Sequence, residues 1–105
     1  MNYGLKDATI EKIHSVFARH PEVEKAILYG SRAKGNYKNG SDIDLTLHGG
    51  TALTLNVLYR ILDELDDLLL PYTFDLSILT NIEDTSLLEH IQRVGIVFYE
   101  SNNTR

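Results

Sequence analysis

The sequence predicts an α/β fold of the α+β type, with helices packed on one mixed β-sheet, and three observations carry that prediction. Segments whose apolar residues repeat at helical spacing alternate along the chain with shorter segments of two-residue period. A length of 105 residues allows one core and leaves no room for a second substrate-binding domain. With 43% hydrophobic and 24% charged residues, the composition is that of an ordinary folded domain.

The first helix is expected after Asp7, read as its cap. Ile10, Ile13, Val16 and Phe17 recur on one side, and His20-Pro21 closes it. Val23 to Tyr29 reads as a strand, broken by Gly30-Ser31. Ser31 is expected to cap the short turn Arg32-Ala33-Lys34, which Gly35-Asn36 ends. After a polar loop to Gly40, Ile43, Leu45 and Leu47 alternate with Asp42, Asp44 and Thr46, the pattern of a strand with one apolar and one acidic face.

Gly49-Gly50 then precedes the longest helical pattern, Thr51 to Leu69, which Pro71 stops. Leu55, Leu58, Leu62, Leu65 and Leu69 make one seam. Leu53, Val57, Ile61 and Leu68 widen it to an arc of roughly 200°, about twice what one contact needs. Thr73 to Leu79 is expected as a third strand, Asp84 to Arg93 as the last helix, and Ile96 to Tyr99 as a final strand at a sheet edge. One domain is thus expected over residues 1–100, with a polar tail over 101–105.

Charge and composition exclude several function classes. A net charge of -5 opposes direct binding to a nucleic-acid backbone, which rests on Lys and Arg contacts to phosphate. The absence of Cys removes disulfides, thiolate metal sites and a thiol nucleophile. No stretch is long and apolar enough to span a bilayer and no leader pattern opens the chain, so no membrane role is expected and the cytoplasm is the expected location.

Asp42 and Asp44, two apart on a strand, project from one face and repel each other unless a cation lies between them. Oxygen donors without Cys favour magnesium, with manganese possible, over zinc. A lone D-x-D is more often a solvated strand face. Upstream, Gly30-Ser31 follows a strand and opens a helical turn, where free backbone N–H groups and the Ser31 hydroxyl suit phosphate. Arg32, Lys34 and Lys38 concentrate positive charge beside it. Gly-Ser alone is more often a plain turn. The combined spacing G-S-x(10)-D-x-D arises by chance on the order of once per thousand chains of this size. Arg32, Ala33, Gly35 and Ser41 make it rarer still. His14, His20, His48 and His90 are too scattered for a metal set and are expected as surface or helix-end residues, only His48 having a place in the sequence from which it could lie near these acids. The tyrosines are expected in core or rim roles, though Tyr37 in the loop could touch a nucleotide base.

Residues 30–45, GSRAKGNYKNGSDIDL, resemble the signature of the minimal nucleotidyltransferases (MNT) of the DNA polymerase beta superfamily, and the likeness extends over nearly the whole chain. The resemblance implies the nucleotidyltransferase fold. It implies that Gly30 and Ser31, with Arg32, Lys34 and Ser41 around them, hold a triphosphate, and that Asp42, Asp44 and a third acid on the next strand, Asp75, bind two magnesium ions. Lys34 stands where Arg is usual, keeping the charge but losing the bidentate fork. The resemblance also implies transfer of a nucleoside monophosphate, AMP from ATP, to a hydroxyl. The acceptor expected from it is a tyrosine of a small helical HEPN-domain toxin, for which this chain is the antitoxin. The alternative is a non-catalytic module that silences a helical partner by docking alone.

Overall fold

The computed structural model describes residues 2–102. The chain forms α1 (Asp7–Ala18), β1 (Lys25–Tyr29), α2 (Gly30–Lys34), β2 (Ile43–His48), α3 (Leu55–Asp66), β3 (Phe74–Ile78), a 3-10 turn (Leu79–Asn81), α4 (Thr85–Val94) and β4 (Ile96–Glu100). The strands build one sheet in the order β3-β2-β1-β4. β1 runs antiparallel to both β2 and β4, and β2 runs parallel to β3, so the sheet is mixed as expected. β4 lies at an edge, also as expected. The Ser101 N–H still donates to the Glu24 carbonyl at 2.9 Å, so pairing runs into the first residue of the expected tail. Residues 103–105 of that tail lie outside the described residues.

Alternation along the strands gives the sheet two unlike faces. Ala26, Leu28, Ile43, Leu45 and Leu47 are fully buried and meet Ile13, Val16 and Phe17 of α1 and Ile61 and Leu65 of α3 in one core. The opposite face carries Tyr29, Asp44, Thr46, Asp75 and Ser77. α4 covers only the β1–β4 end of it, through buried Ile91 near Ile27. In the β2–β3 half Thr46 is buried, and the face opens where Asp44 and exposed Asp75 stand.

Four local expectations are corrected. Asp7 lies inside the first turn of α1, whose N-cap is Lys6 with no side-chain hydrogen bond. Ser31 does not cap α2, because the helix already starts at Gly30. α3 begins four residues later than the periodicity suggests, since the Thr54 hydroxyl accepts the Val57 N–H at 3.4 Å and fixes the start there. The five-leucine seam is displaced in consequence. Val57, Leu58, Ile61 and Leu65 are buried, whereas Leu55 is half exposed and Leu69, beyond the helix, is 89% exposed. Leu53 is buried from the preceding loop, so the wide apolar arc belongs partly to a turn and partly to surface.

Candidate active site

The site is built where β1 turns into α2 and where β2 and β3 run side by side. Asp44 pairs across the sheet with Tyr29 on one side and Asp75 on the other, so phenol, carboxylate and carboxylate form one row on the open face. One row further along, the Ser77 hydroxyl donates to the Thr46 hydroxyl at 2.9 Å and ties β3 to β2 beneath the acids. Asp42, just before β2, is exposed at the mouth.

Electrostatics link the three acids. Burial, and then the charges of Asp75 and Asp42, push the Asp44 carboxyl up to about 6, against the opposing pull of Arg32. Tyr29 is likewise raised above its ordinary value, first by burial and then by Asp75, with Asp44 adding to the effect and a hydrogen bond with Ser77 opposing it. Such a group of negative charges, all oxygen donors, is chemically suited to a divalent cation of the magnesium type. Among the described residues, no three such side chains are drawn close enough to close around an ion as they stand. The fit therefore lies in the strand register and the charges.

The Gly30 corner is tight. Gly30 has φ of 75°, and a Cβ at this position would fall on the Asp44 carboxylate. Its N–H donates to His90 Nε2 at 3.2 Å, so this amide turns toward α4, and the Ser31 and Arg32 amides and the Ser31 hydroxyl remain as first-turn donors of α2. Gly35, at φ 88°, ends α2 in the left-handed conformation and donates to the Ser31 carbonyl at 2.9 Å.

Arg32 has a different place from the one expected. It is 2% exposed, and its guanidinium points into the loop: Nε and one terminal nitrogen donate to the Ser41 carbonyl at 3.1 and 2.9 Å, and the other donates to the Tyr3 carbonyl at 2.9 Å. The Tyr37 and Tyr72 rings lie 5.4 and 5.0 Å from it. Arg32 is thus a clamp that holds Ser41, and through it Asp42, against α2. Tyr37 serves the same clamp and packs on Gly4. Ser41 adds to it, accepting the Lys38 N–H on its hydroxyl at 2.8 Å, while Lys34 and Lys38 are exposed beside the turn.

The histidine expectation is reversed. His48 sits at the far end of β2, opposite Lys25 and with Nδ1 3.6 Å from Glu24, roughly 13 Å along the strand from Asp44. His90 is the histidine at the site, bonded to Gly30 and edge-on to the Tyr29 ring at 6.2 Å. Its only sequence signal was its place next to Ile91, the buried residue of α4, which fixes a helix face but not what that face meets.

Comparison with known proteins agrees with this geometry. The family model for the polymerase beta nucleotidyltransferase domain matches residues 11–104. Curated proteins give no match. Among solved structures, a toxin-antitoxin complex with AMP-PNP superposes with a TM-score of 0.69 at 21% identity, over 93% of this chain and 76% of that one. The complex of a tri-AMPylated HEPN toxin with its MNT antitoxin from Shewanella oneidensis gives 0.66 at 18%, over 92% and 74%. A chain assigned as a minimal nucleotidyltransferase gives 0.64 at 28%, over 91% and 95%. With the family model covering nearly all of it, and the Gly-Ser turn and acidic strand pair in register, the chain belongs to the polymerase beta nucleotidyltransferase family.

Proposed function

We propose that this chain is a magnesium-dependent adenylyltransferase that moves AMP from ATP to a tyrosine hydroxyl on a HEPN-type toxin and so acts as its antitoxin. The observation that carries the reading is the row of Asp44 and Asp75 on neighbouring parallel strands, directly against the Gly30 corner. Solved relatives of the same fold include one with AMP-PNP and one whose HEPN toxin is AMPylated, which supports ATP as donor and a protein as acceptor.

Each residue has a part. Asp42, Asp44 and Asp75 would hold two magnesium ions, which supply charge neutralisation at the reacting phosphate and activation of the acceptor oxygen. Ser31, with its amide and hydroxyl, receives the triphosphate at the start of α2, while exposed Lys34 adds positive charge from outside. Gly30 makes room for Asp44, and Arg32 fixes Ser41 and hence the approach to Asp42. In the reaction the acceptor oxygen bonds to the α-phosphorus, the bond to the bridging oxygen breaks, pyrophosphate leaves, and the hydroxyl proton passes to solvent or an acid of the site.

A second reading, docking without transfer, draws on another part of the surface. Ile27, Leu79, Leu88, Ile91 and half-exposed Val97 line an apolar groove of about 450 Å³ beside the edge strand β4. The two readings separate in one experiment. The chain is incubated with its co-purified partner, labelled ATP and magnesium, and the partner is weighed intact. A gain of AMP, lost in Asp44→Asn, supports transfer. A stable complex whose partner never gains AMP supports docking.

A further inference from the structure

We infer that His90 is a positioning residue of the nucleotide site: its neutral imidazole holds the Gly30 amide and thereby sets how the start of α2 lies against Asp44. The ligand in this inference rests on the transferase reading; the contact itself does not.

The argument starts from the Gly30 backbone. A residue at φ 75° whose Cα borders a carboxylate has little freedom, and its N–H must find an acceptor or water. The acceptor is His90 Nε2 at 3.2 Å, which requires the neutral ring with its proton on Nδ1. The ring is held in turn. It stands edge-on to Tyr29, the residue before Gly30, at 6.2 Å and 81°. α4 that carries it is fixed at one end by Asp84, whose carboxylate accepts the Ser86 and Leu87 N–H groups at 2.9 and 3.3 Å. It is fixed at the other by Gly95, where a side chain would strike Ile27 and the Ile91 carbonyl. The imidazole is therefore delivered by a rigid element to the point where β1 becomes α2.

Two consequences follow for the site. The Gly30 amide is spent on His90, so a phosphate at the start of α2 meets the Ser31 and Arg32 amides and the Ser31 hydroxyl. The direction of those donors depends on the Gly30 conformation that His90 holds. Loss of the acceptor should thus loosen nucleotide binding although His90 itself touches no phosphate.

The test compares His90→Phe, which keeps a ring against Tyr29 and removes the acceptor, with His90→Gln, which keeps an acceptor. Three readouts are taken on the full chain: protection of the Gly30 amide from hydrogen exchange without nucleotide, affinity for ATP with magnesium by calorimetry, and the melting temperature. The expected result is loss of Gly30 protection, about 5-fold weaker ATP binding and a melting temperature lower by a few degrees in His90→Phe, as for one hydrogen bond, with recovery of all three in His90→Gln. ATP binding that is unchanged or tighter in His90→Phe overturns the inference. So does a parallel fall of both variants with their melting temperatures. Wild-type protein that binds no ATP, yet loses Gly30 protection in His90→Phe, sinks the transferase reading while the His90 hold on Gly30 stands.

Discussion

Gly30 and Asp44 are fitted to one another across the β1–β2 pair: the Asp44 carboxylate occupies the space that a side chain on residue 30 would need. The left-handed φ of Gly30 makes the same demand a second time, because an L-residue there is strained whatever the space. Gly30→Ala should therefore cost about 1–3 kcal/mol in backbone strain alone. It should also push Asp44 out of line and lower transfer by on the order of 100-fold. Melting curves and single-turnover transfer measured on the same preparation check this. Activity near wild type would show that Asp44 can relax without loss.

Arg32 gives a prediction of the opposite kind, in stability rather than turnover. The buried guanidinium joins the Ser41 and Tyr3 carbonyls between two tyrosine rings, and Lys cannot form that fork. Arg32→Lys should lose about 3 kcal/mol, the scale of charge-assisted hydrogen bonds left unmade in a buried place. The fall in melting temperature should be seen with no nucleotide present. A stable variant that has lost only ATP affinity would return Arg32 to the role of phosphate ligand.

What the sequence made legible, and what it did not, follows from the range of the interactions. The strand of Ile43, Leu45 and Leu47 was readable because its two faces differ in polarity at every step; Asp42, expected beside Asp44 on that strand, lies just before it, and the acid in register with Asp44 is Asp75. Gly35 was readable as a stop because its φ of 88° is a local demand. The start of α3 was misread because Leu53 continues the apolar repeat although Thr54 caps the helix, and a cap outweighs periodicity at a terminus. The Arg32 clamp was not legible because a cation beside a turn looks the same in sequence whether it faces phosphate or a carbonyl. His90 was missed because its partner is 60 residues away.

Asp44 links the site to pH. Its folded pKa, about 6, lies above its ordinary 3.8, so the folded protein binds this proton more tightly than the unfolded chain does. The stabilising contribution is present in full below the unfolded value and is lost as pH rises through about 6. Without metal, the protein should therefore weaken between about pH 4 and pH 7, and Asp44→Asn should flatten that slope. The gain of Asp44→Asn at neutral pH should be on the order of 1 kcal/mol, held down by solvent screening at a half-open site. Denaturant melts at several pH values, in chelator, measure it. A wild-type slope equal to that of the variant would mean that neither burial nor the neighbouring acids raise Asp44.

Divalent ions should reverse that slope, and this joins the electrostatics to the proposed chemistry. A cation between Asp42, Asp44 and Asp75 offsets the burial and the repulsion that together raise Asp44, and it binds only the ionised carboxylate. Magnesium and a proton thus compete for the same oxygens. Added magnesium should raise the melting temperature at pH 8, should do so much less at pH 5, and should have little effect at either pH in Asp44→Asn. At 100 times the dissociation constant the gain approaches about 2.7 kcal/mol for one site. Triphosphate binding should carry the same requirement, because ATP adds further negative charge to a face that already holds three acids. Calorimetric titration of ATP into chelated and magnesium-loaded protein at pH 8 checks both halves at once. Equal ATP affinity in chelator, together with a melting temperature that ignores magnesium, would remove the metal from the site and leave the apolar groove beside β4 as the part of the molecule on which function turns.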